Sequence, residues 1–119
     1  MDVIAGNIAM KNVTENAAGE PIPYRRRFVV FQSGSAAGEN LGVQVARIEE
    51  DQSDFELVYD PGHKNAITEG PMKGYVRYPN VDLAMEYIDG MEAARAYDAN
   101  LASFDLSKNM ITNSLRLLA

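Results

Sequence analysis

Residues 82–118 constrain this chain more than any other stretch. From Ala94 on, the sequence ARAYDANLASFDLSKNMITNSLRLLA holds no glycine and no proline. Alternating steps of three and four residues pick out Ala94, Tyr97, Leu101, Phe104, Lys108, Ile111, Leu115 and Leu118. That is an a/d seam with one polar interruption, and it keeps one face turned toward one partner. The spacing predicts a single helix over 82–118, about 55 Å long at the usual rise per residue. A domain built from 119 residues is much shorter across, so the helix is expected to project. Its stripe then needs cover from another helix: residues 1–16, a second copy, or both. A chain of this kind is expected to pack or polymerise rather than to turn over a substrate.

A projecting helix takes apolar residues away from a domain that is already small. The formal charge is -6, from 17 acidic and 11 basic residues, which argues against a nucleic-acid binder. Six of the acids lie in 82–118, and Asp82, Glu86, Asp89 and Glu92 crowd its N-terminal part. That is the favourable end of the helix dipole, so these carboxylates are expected on a solvated face. Cysteine is absent, which excludes disulfides and thiolate chemistry. No apolar run approaches membrane-spanning length, and the N-terminus lacks the basic-then-apolar pattern of a cleavable signal. No direct membrane insertion is expected.

Ahead of the long helix the pattern changes. Val3, Ile4, Ile8 and Met10 suit a short helix within 1–16, weakened by Gly6 and by scattered asparagines. Pro21 and Pro23 mark a linker. Strands are expected at 24–32 (YRRRFVVFQ), 41–49, 55–59 (FELVY) and 73–78 (KGYVRY), with a soft connection over 33–40. In the second strand, Leu41, Val43, Val45 and Arg47 fall on one side by phase, and Gln44, Ala46 and Ile48 on the other. Asp60-Pro61-Gly62 is a turn, and either Asn80 or Asp82 can cap the helix. Gly90 marks a bend or a close helix contact. The expected fold is α+β: a small antiparallel β unit flanked by a short N-terminal helical segment and one long C-terminal helix that packs in a coiled-coil-like assembly. It divides into 1–20 (an assembly-helix remnant and linker), 21–80 (the β domain) and 81–119 (the assembly helix).

Chemistry is sparse. His63 is the only histidine and sits in a turn with no cysteine or second histidine to share a metal. The connection around Gly34 and Gly38 lacks the Lys-Ser/Thr of a nucleotide loop. No catalytic residue, metal site or cofactor is expected, and the chain reads as a non-enzyme. Arg25-Arg26-Arg27 is the one basic cluster. On a strand the middle arginine points away from its neighbours, so the triplet makes no continuous nucleic-acid surface. It is expected either as an exposed edge or paired with the acidic helix of another copy. Lys108, inside the seam, either snorkels past its edge or sets register against an acid such as Glu92, Asp98 or Asp105.

Four blocks in order carry a resemblance: Tyr24-Arg25-Arg26 before Val-Val-Phe; Leu57-Val58-Tyr59-Asp60-Pro61-Gly62-His63; the stretch from Lys73 to Asp82, KGYVRYPNVD; and Arg95-Ala96-Tyr97-Asp98-Ala99-Asn100, followed by Lys108-Asn109-Met110 and a leucine-rich end. Together with the asparagine-containing start VIAGNIA, they resemble the small proximal-rod proteins of the bacterial flagellar basal body (C-type rod subunits), in the flagellar axial family of rods and hooks. Met10 stands where that family usually repeats asparagine, and Asp98 where glutamine is common. The resemblance implies a structural, self-assembling motility protein, exported unfolded by the type III flagellar apparatus without a cleaved signal. It implies partners among other rod and adaptor proteins, and a periplasmic rod whose inner tube is formed by paired N- and C-terminal helices. It also implies packing roles for Asn7, Tyr97, Asn100, Leu101, Ile111 and Leu115. Residues 1–16 supply little of that N-terminal helix; if no more of it exists, the seam must find a partner in trans. The alternative is an adaptor module whose C-terminal helix docks on one partner without polymerising.

Overall fold

The structure, a computed structural model, describes residues 1–34 and 42–119. Six elements follow one another: α1 (Asp2–Ala9), β1 (Arg27–Ser33), β2 (Val43–Glu50), β3 (Glu56–Tyr59), β4 (Tyr75–Tyr78) and α2 (Leu83–Leu118). The fold is α+β, with two separate antiparallel ribbons, β1–β2 and β3–β4, rather than one sheet. The expected strand start at Leu41 and the connection over 35–40 lie outside the described residues.

Each boundary has a local cause. The extended stretch 24–26 leaves the first ribbon at Arg26, whose carbonyl still accepts from Asp51 N–H (2.8 Å), while the N–H groups of Tyr24 and Arg26 bond elsewhere. Tyr24 N–H donates to the Val13 carbonyl (3.2 Å) and Arg26 N–H to Asn80 Oδ1 (2.9 Å). The first ribbon then carries a bulge between Val30 and Phe31, which pair with Arg47 and Val45 and leave Ala46 as the extra residue. The slip corrects the expected partition of the second strand. Val29 faces Ile48 and Phe31 faces Val45, so Ile48 joins Val43 and Val45 on one face instead of opposing them.

β3 and β4 are joined through a long turn in which His63 Nδ1 accepts from Asn65 N–H at 3.1 Å. Gly74 ends the turn at φ +86°, and a Cβ there would lie 2.8 Å from Tyr59 Cε2. That vacancy lets the Tyr59 and Tyr75 rings meet edge to face at 5.2 Å. Val76, Pro79 and Val81 are buried where β4 runs into α2. Asp82 then caps the helix, accepting from Ala84 N–H (2.9 Å) and Met85 N–H (3.4 Å).

The 36 residues of α2 reach about 54 Å. The molecule measures 80 × 29 × 22 Å, with a radius of gyration of 22.1 Å; a compact chain of this length would have about 14 Å. α2 therefore projects, as its periodicity predicts. Eight-residue helices are marginal alone, so α1 exists by virtue of its packing on β1 and the start of α2.

Candidate assembly interface

Two features of α2 bear on assembly: the joint that fixes its root, and the bare face beyond it. The joint is built on Asn7. Its Nδ2 donates to the Arg27 carbonyl (2.8 Å) and to Glu86 Oε2 (3.1 Å). Its Oδ1 accepts from the Arg27 N–H (2.9 Å) and from the Tyr24 hydroxyl (3.1 Å). The amide thus meets Arg27 as a neighbouring strand would, and all its hydrogen-bonding capacity is used. Glu86 is fully buried and also accepts from Arg26 Nε. Arg26 extends to Asp89 Oδ2 at 3.3 Å and to Asp51 Oδ2 at 4.0 Å. Burial pushes the Tyr24 phenol above its ordinary value. Hydrogen bonds from Ser53, with Arg25 and Arg26 nearby, hold the Asp51 carboxyl low.

The arginine triplet points three ways, and each arginine meets a different set of groups of this chain. Arg25 donates to the Asp51 and Ser53 carbonyls and lies 4.3 Å over the Phe55 ring. Arg27 reaches Glu50 at 3.6 Å. Within the single chain Arg26 closes an intramolecular clasp onto Glu86 and Asp89 of its own α2. Glu86 likewise leaves the solvated face expected for it, since a carboxylate bonded to both Asn7 and Arg26 can be buried without an unmatched charge. A signal was available: extending the seam backward from Ala94 by fours reaches Gly90 and then Glu86, which places this acid on the packing face.

From the joint, α1 runs antiparallel to α2, with Asn7 on Glu86 and Ile4 against Gly90, where a Cβ would sit 3.7 Å from Ile4 Cγ2. That is ordinary van der Waals distance, so Gly90 faces α1 without the approach requiring a glycine. α1 and α2 border an open apolar hollow of about 400 Å³ lined by Met1, Ile4, Ile8, Tyr87 and Met91, among others, that ends at Ala94. Ala94 is half-buried.

Beyond it the seam is bare. Tyr97 is 64% exposed, Leu101 49%, Phe104 66%, Ile111 62%, Leu115 62% and Leu118 86%. Asn100 and Lys108 are exposed too. Among the described residues, Lys108 makes no ion pair with Glu92, Asp98 or Asp105. Of the residues singled out in the sequence, the structure brings Asn7 into the joint and strings the others along one side of α2. Beyond Ala94, where the contact with α1 ends, neither α1 nor either ribbon covers them.

Comparison with known proteins adds to this geometry. Residues 72–117, which take in β4 and nearly all of α2, match the family described as flagellar basal body rod FlgEFG protein C-terminal. The flagellar basal-body rod protein FlgC of Borreliella burgdorferi is 39% identical over 132 residues, covering 99% of this chain and 86% of that protein. FlgC of Bacillus subtilis is 38% identical over 133 residues, covering 98% and 85%. FlgC of Escherichia coli O6:H1 is 38% identical over 118 residues, covering 98% and 84%.

Proposed function

The chain belongs to the FlgC family of flagellar basal-body rod proteins, and from that premise we propose that it enters the rod by packing the bare face of α2 against helices of neighbouring subunits. As a member of that family it is a structural rod subunit and not an enzyme, and its partners include other rod components. The observation that carries the packing proposal is the continuity of one face. Glu86, Gly90 and Ala94 lie on the stretch that α1 already covers, and the seam runs on from Ala94 through Leu118 with no helix on it. A second helix laid along the line of α1 would cover it in the same antiparallel sense.

The work divides along the chain. Residues 1–20 hold the root of α2, 21–80 form the outer β part that sets the direction in which the helix leaves, and 81–119 insert into the tube. The subunit works in the periplasmic part of the basal body, having left the cytoplasm without a cleaved signal, alongside rod and adaptor proteins.

The test is Leu101→Asp, introduced into the source bacterium, with basal bodies isolated and export of the subunit measured. A buried unpaired charge in a packed seam costs several kcal/mol, roughly, so the variant should be made and exported at the parent level yet yield basal bodies without a rod and cells that do not swim. Normal rods containing the variant would overturn the proposal. A stable one-to-one complex with a single partner, in place of a rod, would favour an adaptor.

A further inference from the structure

Away from α2, the turn between β3 and β4 builds a hollow that the packing of the helix does not use. The register Leu57↔Arg77 and Tyr59↔Tyr75 puts these four side chains on one face of the ribbon, since directly paired residues share a face and successive ones alternate. Val58 and Val76 take the other face, where Val76 is fully buried. On the outward face Tyr59 is 64% exposed. Past the strand ends the chain folds back along β4. Ile67 N–H donates to the Tyr75 carbonyl and Gly74 N–H to the Ile67 carbonyl, both at 2.9 Å. Beside this return lies an open hollow of about 570 Å³, lined by Tyr59, Pro61, His63, Lys64, Thr68 and Lys73, among others. Small-ligand sites span about 300–1,000 Å³.

We propose that this hollow binds a sugar ring bearing a carboxylate, as one unit of an acidic glycan. No carboxylate lines it, although the chain has 17 acidic against 11 basic residues. Among the described residues Lys73 makes no ion pair, and Lys64 shares its ammonium with Glu15 at 2.8 Å. His63 Nδ1 accepts from Asn65 N–H at 3.1 Å, which leaves Nε2 as the donor. The lining thus offers donors to an anion. Its wall is a preset aromatic ring. Gly74 backs Tyr59 so closely that a Cβ there would lie 2.8 Å from Cε2, and Tyr75 meets the ring edge to face at 5.2 Å. A pyranose has a flat face of C–H groups that covers such a ring, and a carboxylate on it would take charge-assisted bonds from the lysines. An acidic peptide would use the lysines and leave Tyr59 uncovered. A nucleic acid would bring a phosphate with every unit to a chain of net charge -6. A second hollow of about 430 Å³ adjoins through Lys64 and Thr68 and carries Asn65, Arg77 and Glu69, so a glycan has room to run on from the first unit.

N-acetylmuramic acid and N-acetylglucosamine make the test, because they differ only by an ether-linked lactic acid that carries the carboxylate. Each is titrated into monomeric full-length protein while the backbone amides of residues 59–74 are followed by NMR. The acidic sugar should shift the amides of Tyr59, Thr68 and Gly74 with a Kd at least fivefold below that of the neutral one. Lys73→Gln, on an exposed side chain, should bring the two Kd values within twofold of each other. Tyr59→Phe keeps the ring and should leave both unchanged. Equal Kd values for the two sugars, no shift with either, or a Lys73→Gln protein that keeps the full preference would overturn the proposal. So would a tetraglutamate peptide that shifts the same amides at lower concentration than the acidic sugar, since the occupant would then be an acidic protein segment. Binding here does not depend on how α2 packs. Leu101→Asp should take the acidic sugar as the parent does, and a failed titration leaves the assembly role standing.

Discussion

At the scale of single residues, the molecule depends on an amide whose hydrogen bonds are all made inside the chain. Replacing Asn7 by alanine would strand the Arg27 backbone N–H and carbonyl and remove a donor from Glu86. Buried unsatisfied groups cost about 1–3 kcal/mol each. Asn7→Ala should therefore lose about 2–4 kcal/mol in urea unfolding, and Asn7→Asp more at neutral pH, because it sets a second carboxylate beside Glu86. Parent-like stability of Asn7→Asp would mean the joint is not as tight as its distances imply. Tyr24 gives a pH test. Its folded phenol is raised by burial, so the unfolded chain releases the proton first. The stability this contributes is complete below the ordinary phenol value near ~10 and is lost as pH rises through the raised value. Tyr24→Phe should flatten the alkaline fall of the unfolding midpoint. Gly74→Ala should destabilise the β3–β4 ribbon by more than ~1 kcal/mol, since it adds a strained φ to a clash with Tyr59; thermal melts followed in the near-ultraviolet would report it.

At the scale of elements, α2 was legible almost to the residue, because heptad spacing and the Asp82 cap are local signals. The joint was not. Nothing in the neighbourhood of Glu86 announces that an asparagine 79 residues away will bury it; only its place on the extended seam hints at it. The bulge at Val30 and Phe31 was hidden for a similar reason. Strand phase can be read from one strand, but the slip that brings Ile48 beside Val45 belongs to the pair. The face so formed leaves Phe31 66% exposed, Val43 72% and Val45 55%. Lys108 tests the seam at this scale. Being exposed and without an ion pair in the single chain, it should tolerate Lys108→Leu within ~0.5 kcal/mol. If it sets register between helices, the same variant should associate into heterogeneous species in sedimentation. One homogeneous species of the parent's mass would mean its position in the seam is incidental.

At the scale of the whole molecule, the chain is a small anchored base from which most of a 36-residue helix extends, 80 Å end to end. The base is thinly buried: Val76, Pro79 and Val81 close the β4–α2 junction, and the Asn7–Glu86–Arg26 clasp fixes α1. The proposed packing would give that shape a purpose, because a subunit that inserts into a lattice can leave its largest apolar surface to be buried by neighbours. Hydrogen exchange tests this most directly, on the monomeric full-length chain, verified by sedimentation, and on the same chain in isolated basal bodies. In the monomer, amides of 97–118 should exchange at least a hundredfold faster than those of 75–90, since no tertiary contact holds that half of α2. In the basal body the two stretches should be protected alike. Equal, slow exchange of both stretches in the monomer, or fast exchange of 97–118 that persists after assembly, would contradict the claim that this helix is completed by its neighbours.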